Sequence, residues 1–486
     1  MKTNNIKKNT ILALSALACT GSAMGQSASE QAKKYNVIFI ASDDLANTMH
    51  TFNNEMVSTP NLDRLAERGV VFNYAHNQFP LSGPSRASIL TGMRPDQTNV
   101  FNLTASFRDD NPDAQTLPEL FKNNGYYTAR VGKIFHAGVP GDIGRDGHDD
   151  PQSWMQKYNP IGRDKTEEHL VTNHTPERKV LGSTLSFMAM DATDAELTDG
   201  MVANVTVKLM RDAVKSRKNQ PFFIAAGFYR PHCPYIAPQK YFDMYPLDKI
   251  QLPEQRDDDW DNKPEAAKFT NPLNWGLTEQ QQKEVLQSYY ASITFMDAQV
   301  GTILDGVKEL GLEDNTIIVF WSDHGYNTGH HGQWMKQSLF DQVTRTPLLI
   351  AVPGMKSNGQ ETDNHVEFVD IYPTIAEACG IQTPANVQGV NLKPILEDAA
   401  IHWDRPAFTQ VQRVKKINNS DQKKTFFGRT VRYGNLRYTE WDEGREGIEL
   451  YDYAADPNEF TNFANNKKYK KDQEKLQKML RASYTK

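Results

Sequence analysis

The chain has 486 residues, of which 38% are hydrophobic and 23% are charged. This composition is typical of a folded globular protein and excludes a chain that is disordered over most of its length. The formal net charge is −6, so the surface offers no general attraction to a polyanion, and we expect no nucleic-acid partner. At this length we expect one large domain followed by a smaller one.

The first 25 residues have the pattern of a signal peptide. Three lysines and no acid lie in residues 1–9, an apolar run follows over residues 11–18, and small residues lead to Gly25. We expect cleavage there and export to the periplasm or the extracellular space. A lipid-anchored form through Cys19 is the alternative, because residues 16–19 (ALAC) resemble a lipoprotein box. We predict no transmembrane segment, since no run reaches the roughly 20 apolar residues required.

The predicted elements alternate between apolar strands and helices. In chain order they are strand 36–42, helix 62–68, a helix from 84 to 90, helix 117–123, strand 126–131, strand 221–228, helix 279–310, strand 316–322 and strand 347–352. Such alternation predicts an α/β fold around a largely parallel sheet.

The pattern changes after about residue 398. Residues 415–424 are polar and predict an exposed loop or hairpin tip, residues 429–438 and 448–453 alternate as strands of a small antiparallel sheet, and residues 467–480 predict a terminal helix. The predicted domains are a signal peptide over 1–25, a catalytic domain over 26–398 and a C-terminal subdomain over 399–486. Either one disulfide or two unlinked thiols fits the remaining cysteines, Cys233 and Cys379.

Polar residues follow directly after the apolar strands. Asp43 and Asp44 follow the first strand, Lys133 the second, His232 the third, and the Asp323-His324 pair the fourth. Ligands of open α/β sheets bind beyond the carboxyl ends of the strands, so we expect these side chains to converge in one site. Carboxylate oxygens favour Ca²⁺ or Mg²⁺ over Zn²⁺, although an Asp-Asp pair alone is more often a turn or a helix cap than a metal site.

Residues 82–92 read SGPSRASILTG. Pro84 suits a helix start, where free backbone N–H groups favour an anion, and Arg86 adds a fixed positive charge one turn away. Ser82 is therefore either a hydroxyl at an anion site or an ordinary N-cap.

This segment matches the signature of the type I sulfatases, [C/S]-x-P-S-R-x-x-x-L-T-G, and the chain resembles that family over nearly its whole length. The resemblance implies an alkaline phosphatase-like α/β sandwich with a large mixed sheet and a smaller C-terminal subdomain. It implies that Ser82 is oxidised to formylglycine (3-oxoalanine), the nucleophile, by a radical-SAM sulfatase-maturating enzyme. It also implies a Ca²⁺ ion held by Asp43, Asp44, Ser82, Asp323 and His324.

Further site residues follow from the same resemblance. Lys133 in the G-K-x-x-H element would hold a sulfate oxygen, and His136 would act as a base. His232 would face the leaving oxygen, and Lys336 would contact the sulfate and the leaving group. Within the family the chain is most similar to iduronate-2-sulfatase, because residues 94–96 (RPD), the G-K-x-F-H form, Asp323-His324-Gly325 and H-G-x-W-x-K are shared.

Departures from the family pattern leave the substrate open. No transferable pattern covers residues 101–110 and 138–169, which we expect to form the pocket rim. Candidates there and nearby for binding a second part of the substrate are Arg108, Arg145, His148, Arg163 and His331.

The expected activity is hydrolysis of an O-sulfate on a sulfated oligosaccharide or polysaccharide, of glycosaminoglycan or marine type. Two alternatives remain: a phosphodiesterase or phosphonate monoester hydrolase of the same superfamily, and a non-catalytic glycan-binding protein if Ser82 is not matured. A plain serine hydroxyl is a weak nucleophile towards a sulfate ester, so the oxidation decides between catalysis and binding.

Overall fold

The computed structural model describes residues 34–52, 55–218, 220–416 and 422–484. The predicted signal peptide and Cys19 lie outside these ranges. Among the described residues, no helix combines the length and the apolar character needed to cross a membrane.

The strands form one large sheet and three small ones. Their bounds are β1 Asn36–Ser42, β2 Val70–His76, β3 Tyr127–Gly132, β4 Gln156–Tyr158, β5 Thr172–Asn173, β6 Ser186–Met190, β7 Phe222–Gly227, β8 Tyr235–Pro238, β9 Thr316–Ser322, β10 Asn327–Thr328, β11 Trp334–Met335, β12 Leu348–Ala351, β13 Gln360–Glu367, β14 Ala407–Lys416, β15 Lys423–Tyr433, β16 Leu436–Trp441 and β17 Ile448–Asp452.

The helices vary from single turns to one of 31 residues. Their bounds are α1 Pro60–Ala66, α2 Ser82–Thr91, α3 Pro95–Thr98, α4 Phe107–Asp110, α5 Leu117–Asn123, α6 Arg163–Thr166, α7 Thr198–Ser216, α8 Gln239–Phe242, α9 Glu279–Glu309, α10 Asp341–Thr344, α11 Ile371–Ala378, α12 Lys393–Glu397 and α13 Lys470–Tyr484.

The large sheet is mixed and has the strand order β13-β2-β12-β9-β1-β7-β3-β4. Its centre is parallel, because β1 pairs in parallel with both β7 and β9, and β3 pairs in parallel with β7. Strand β12 runs antiparallel to β9 and β2. The four strands of the parallel centre therefore end at the same edge of the sheet, where the predicted polar clusters begin.

Helices cover both faces of this sheet. Successive side chains of a strand point to opposite faces. Ile38 and Ile40 of β1 accordingly pack into a core that includes α7 and α9, whereas Val37 and Phe39 pack into a second core with α2, α5 and α11. All seven residues of β1 are buried, which explains the continuous apolar run that identified this strand in the sequence.

The C-terminal residues form the predicted antiparallel sheet, in the order β14-β15-β16-β17. Leu476 and Leu480 of α13 pack against it, in a cluster with Val431 and Leu450. The segment predicted as one strand over 429–438 is in fact the end of β15 and the start of β16. A turn at Gly434, whose φ is 53°, interrupts it. Alternation continues on both sides of the turn, so the pattern alone did not reveal it.

Two further elements differ from the sequence prediction. Helix α2 begins at Ser82 and not at Pro84, and its N-cap is Leu81. A three-stranded sheet of β5, β6 and β8 was not predicted, because its strands are two to five residues long and give almost no periodic signal. The α/β fold, with a mixed sheet and a smaller antiparallel sheet towards the C-terminus, is confirmed.

A histidine pair, of which His76 is buried and His365 is half-buried, joins the edge of the large sheet to the C-terminal sheet. His76 Nε2 lies 3.0 Å from His365 Nδ1, and His365 Nε2 donates to the carbonyl of Gly434 at 3.1 Å. Burial is the main cause that lowers the pKa of both rings, that of His365 to about 4. The folded protein therefore keeps these rings neutral at a pH where the unfolded chain takes up protons.

We expect the free energy of unfolding to be highest above pH 6.5 and to fall as the pH drops towards 4. For His365 the loss between pH 7 and pH 5 is about 2 kcal/mol. Urea unfolding at several pH values measures it, and His365→Gln should give a flatter profile over this range. Equal pH slopes for the variant and the unmodified protein would contradict the expectation.

Candidate active site

The polar residues predicted from the strand ends lie at one edge of the large sheet. Asp43 follows β1, Lys133 follows β3, His232 lies five residues after β7, and Asp323 follows β9. All four are buried. Lys336 reaches the same place from the segment after β11, where its Nζ lies 2.7 Å from Asp44 Oδ1.

Asp44, Asp323 and His324 form a group that can hold a metal ion. One ligand atom from each lies within 4.8 Å of the others. His324 Nδ1 donates to the carbonyl of Gly325 at 2.9 Å, since a carbonyl can only accept. The other ring nitrogen, Nε2, faces the two carboxylates, 3.3 Å from Asp44 Oδ1 and 3.7 Å from Asp323 Oδ2. A neutral imidazole fixed through its second nitrogen is the form in which histidine binds metals, so the donor set fits a cation.

Asp43 contacts two cationic side chains and the hydroxyl of Ser82. Lys133 Nζ donates to its Oδ2 at 2.5 Å, and Arg86 Nη2 to its Oδ1 at 3.2 Å. The same Oδ1 is 3.3 Å from Ser82 Oγ. Asp43 thus connects the fixed charges to the hydroxyl.

Ser82 lies in the first turn of α2, directly after its N-cap, and is 1% exposed. Its Oγ is also 3.4 Å from His324 Nε2. The hydroxyl oxygen marks the place of an oxygen of the oxidised residue that the sequence signature implies. It adjoins the Asp43 carboxylate, the His324 ring and the positive end of a helix, where a negative charge is stabilised.

Arg86 is fully buried and uses all five of its N–H donors inside the protein. Nε donates to Asp323 Oδ2, Nη2 to Asp43 and to the carbonyl of Ser42, and Nη1 to the carbonyls of Lys133 and Ile134. No donor remains for a ligand. Arg86 therefore positions the carboxylates and the loop after β3, and its charge offsets that of the acids.

His232 and Lys336 form a hydrogen-bonded pair. His232 Nδ1 donates to the carbonyl of Cys233 at 2.7 Å, so its Nε2 accepts from Lys336 Nζ at 3.2 Å. Burial, with the Lys336 charge adding to it, lowers the pKa of His232 well below its ordinary value although Asp44 opposes this. Burial alone would lower the pKa of Lys336, but Asp44 and the other carboxylates outweigh it and raise that pKa. The lysine therefore holds the proton of the pair.

His136 lies beyond Lys133 and is neutral. Burial, followed by the charge of Lys133, lowers its pKa to about 2. Its Nδ1 is buried and has no hydrogen-bond partner among the described residues. A neutral ring nitrogen without a partner is free to accept a proton, and an anion bound nearby would raise its affinity for that proton.

The two stretches predicted as pocket rim line a cavity of about 270 Å³ next to His136. His148 stacks on His136 with ring centroids 5.9 Å apart, and Arg108 also lines the cavity. Arg108 is occupied by ion pairs with Asp150 at 2.9 Å and Glu119 at 2.7 Å. The structure thus brings His148 and Arg108 to the site.

The other candidates for substrate binding lie elsewhere. Arg163 pairs with Glu167 at 2.8 Å and with Glu196 at 3.2 Å, and Arg145 is exposed. His331 is buried, and its Nδ1 lies 3.0 Å from Asp259 Oδ2. None of these three lines the cavity beside His136.

Sequence reasoning missed the residues that fix the segment carrying Lys336. Gln333 Oε1 accepts from the backbone N–H groups of Phe269 and Thr270, each at 2.8 Å, and Thr270 Oγ1 accepts from the N–H of Trp334 at 2.8 Å. A lone glutamine and a lone threonine give no sequence signal. Cys233 and Cys379 are both free and buried, so no disulfide links them.

Comparison with known proteins agrees with the signature at Ser82. The model of the family "Sulfatase" matches residues 35–381, and that of the "N-sulphoglucosamine sulphohydrolase, C-terminal" region matches residues 329–486. A sulfatase of Formosa agariphila is 34% identical over 93% of this chain and 87% of its own length. Human iduronate 2-sulfatase is 31% identical over 72% of this chain and 70% of its own length.

Two solved structures share the fold. One is a complex with the substrate D-glucosamine-2-N,6-O-disulfate, with a TM-score of 0.72 at 21% identity over 93% of this chain and 97% of the other. The other is a phosphonate monoester hydrolase of Agrobacterium radiobacter, with a TM-score of 0.74 at 22% identity over 93% of this chain and 96% of the other.

The chain belongs to the sulfatase family. It is an enzyme of the class that hydrolyses sulfuric esters, and its alkaline phosphatase-like fold and its similarity to iduronate 2-sulfatase are as the sequence predicted.

Proposed function

We propose that this sulfatase removes an O-sulfate from a sulfated carbohydrate, with Ser82 oxidised to formylglycine as its nucleophile. The observation that carries this proposal is the position of Ser82. Its Oγ lies at a helix N-terminus, 3.3 Å from Asp43 Oδ1 and 3.4 Å from His324 Nε2, with Lys133 bound to the same aspartate.

A sugar substrate is favoured by the relatives. One of them is named iduronate 2-sulfatase, and one structure with this fold binds a disulfated glucosamine. A 2-O-sulfated uronic acid, in a glycosaminoglycan or a marine polysaccharide, is the working substrate, and the predicted export agrees with a polymer that is degraded outside the cytoplasm.

Asp44, Asp323 and His324 would hold Ca²⁺, with Asp43 and the oxidised Ser82 beside it. The ion would stabilise negative charge on the sulfuryl oxygens and on the attacking oxygen. This assignment depends on the oxygen-rich donor set and on the position of His324, whose Nδ1 contacts a carbonyl while its Nε2 faces the carboxylates.

The protein's own residues supply binding and proton transfer. Lys133 and Lys336 place fixed positive charge on two sides of the sulfate, which stabilises the charge that develops on its oxygens. The hydrated aldehyde offers one oxygen to attack sulfur and a second hydroxyl whose proton His136 takes when sulfate is released. Arg86 holds Asp43 and Asp323 in place throughout.

The proton for the leaving sugar oxygen comes from the pair of Lys336 and His232. Lys336 carries it, and the Nε2 of His232 accepts from the same ammonium. A sugar alkoxide is a poor leaving group and needs this proton, whereas an activated phenolate leaves without one.

This assignment makes a prediction that depends on the leaving group. Lys336→Ala should lower kcat/KM for a sulfated sugar by about 10²- to 10⁴-fold, and for 4-nitrophenyl sulfate by far less. Steady-state kinetics on both esters measures it, and His232→Gln separates the two members of the pair. An equal loss on both esters would mean that Lys336 only binds sulfate.

The direct test of the proposal is the mass of the peptide that contains Ser82, from protein made together with a serine-type radical-SAM maturase. Oxidation of the alcohol to the aldehyde removes about two mass units, and a maturase control on a known substrate validates the result. Unmodified serine would overturn the mechanism and favour a glycan-binding protein.

A second experiment distinguishes the sulfatase from a phosphonate or phosphodiester hydrolase. It compares the hydrolysis rates of matched aryl sulfate and aryl phosphate esters. The fold alone does not separate these activities, because both kinds of enzyme share it.

A further inference from the structure

One arginine outside the catalytic cluster keeps its terminal nitrogens unused. Arg178 is half-buried, and its guanidinium lies over the ring of Trp275, 4.4 Å from the ring centroid. Its Nε donates to the carbonyl of Ser183. Nη1 and Nη2 have no hydrogen-bond partner among the described residues, and both are open to solvent. A ligand can therefore reach the remaining N–H groups of a guanidinium that is already held in one orientation.

The contact with Ser183 joins Arg178 to the surroundings of His232. Ser183 follows Gly182 in the segment between β5 and β6. A Cβ atom added to Gly182 would lie 3.6 Å from Cε1 of His232, so this backbone runs alongside the imidazole. The carbonyl that accepts from Arg178 is therefore one residue away from the side of His232.

The contact with Trp275 joins Arg178 to the segment that carries Lys336. Trp275 lies in a short loop, and the neighbouring Asn274 Oδ1 accepts from Trp334 Nε1 at 3.0 Å. Trp334 comes two residues before Lys336. Both loop residues have a left-handed backbone, with a φ of 53° for Asn274 and of 47° for Trp275. A tryptophan rarely adopts this conformation, and such strain is concentrated in segments that serve a ligand or an active site.

The charge of Arg178 is not neutralised by a neighbouring acid. No carboxylate in the described part of the chain lies within ion-pair distance of it. Arg108, by contrast, pairs with Asp150 and Glu119, and Arg163 pairs with two glutamates. A guanidinium held in one orientation presents parallel N–H groups that fit two oxygens of a carboxylate or a sulfate. The chemistry of this position therefore selects an oxyanion.

We propose that Arg178 binds a second oxyanion of the substrate, a carboxylate or another sulfate, on the side of the catalytic site where the sugar leaves. The inference rests on the proposed function, in which His232 and Lys336 face the leaving sugar oxygen. One contact of Arg178 leads to each member of this pair. The sulfate in the catalytic cluster and the oxyanion at Arg178 would fix the sugar at two points, so this arginine would select sugars that carry two negative groups.

The experiment measures binding of defined sugars to the full-length, unmatured protein. Isothermal titration calorimetry compares a disaccharide of 2-O-sulfated uronic acid and 6-O-sulfated hexosamine, the same disaccharide without the 6-O-sulfate, and the latter with its carboxyl reduced to an alcohol. The series distinguishes a sulfate from a carboxylate as the group that Arg178 binds. That group should tighten binding to the unmodified protein about 10-fold, and Arg178→Gln should remove this gain, because it deletes the charged donors.

Arg217→Gln is the matched control. Arg217 is also half-buried and also stacks on an aromatic ring, 4.2 Å from the centroid of Tyr127. Tyr127 is the first residue of β3, whereas Lys133 follows the last, so Arg217 lies near the opposite edge of the sheet. The control should keep the gain in full. Arg178→Lys retains the charge without the parallel N–H groups and should keep a gain of about 3-fold, and it serves as the test if thermal melting shows that Arg178→Gln is unfolded.

Two results would overturn the inference. One is that neither anionic group tightens binding to the unmodified protein. The other is that Arg178→Gln keeps the gain, even if it weakens all three ligands equally, since Arg178 would then only support the segments around it. The proposed function is tested separately, by 4-nitrophenyl sulfate hydrolysis with unmodified, matured protein. Absence of that activity would count against the proposed function, whereas the binding comparison needs no catalysis and still decides the role of Arg178.

Discussion

Replacing Ser82 by threonine should lower kcat/KM on 4-nitrophenyl sulfate by about 10⁴-fold or more, in protein made together with the maturase. Threonine keeps the hydroxyl, but its Cβ carries a methyl group, so oxidation cannot give an aldehyde. Ser82→Thr therefore distinguishes an oxidised nucleophile from a plain hydroxyl. Steady-state kinetics, together with the mass of the Ser82 peptide, measures the effect.

Two further variants complete this series. Ser88→Ala is the control within the same helix, because Ser88 is buried and its hydroxyl has no hydrogen-bond partner in the described part of the chain. It should retain activity within about 2-fold. Ser82→Cys keeps a side chain that can be oxidised to the same aldehyde, and it should recover activity with a cysteine-type maturase. Activity of Ser82→Thr within 10-fold of the unmodified enzyme would show that the hydroxyl suffices.

Removing a metal ligand should have the second largest effect. His324→Ala removes the ring nitrogen that faces Asp44 and Asp323. We expect it to lose bound Ca²⁺ and to lower kcat/KM by about 10²-fold or more. Metal analysis after dialysis gives a readout that does not depend on activity. Thermal melting gives another, since Ca²⁺ at 100 times its Kd should stabilise the unmodified protein by about 2.7 kcal/mol and the variant by much less.

A matched histidine separates the metal site from general loss of packing. His174 is partly buried and pairs with Glu284 at 2.7 Å, and neither residue belongs to the catalytic cluster. His174→Ala should keep its Ca²⁺ and its activity. The metal assignment fails if the unmodified protein binds no divalent cation, or if His324→Ala binds it with unchanged stoichiometry.

Much of the site could be predicted from the sequence because it depends on the ends of strands. A buried parallel strand is a short apolar run, and the first polar residues after it must lie at the carboxyl edge of the sheet. From the sequence, this rule alone predicts that Asp43, Lys133, His232 and Asp323 lie in one site. The role of Ser82 could be predicted only with the sulfatase signature, because a hydroxyl residue at a helix start is far more often a simple N-cap.

The rest of the site depends on loops without periodicity. Thr270 and Gln333, which fix the segment before Lys336, lie 63 residues apart. Hydrogen bonds between a side chain and a distant backbone leave no pattern in a single sequence. Arg86 shows a different limit: the signature gives its position, but only the structure shows that its five donors are used internally and that it acts through Asp43 and Asp323.

The burial of Ser82 in the folded protein limits the stage at which its side chain can be oxidised. An enzyme that oxidises this side chain must contact its Cβ, and the folded protein exposes 1% of the residue. If Ser82 is oxidised as proposed, the modification therefore precedes folding. The partner His324 is 242 residues further on, and at a synthesis rate of about 5–20 residues per second it is made roughly 10 to 50 seconds later. During that interval the pocket around Ser82 is incomplete. The order of synthesis would therefore give the proposed maturase time to act on Ser82.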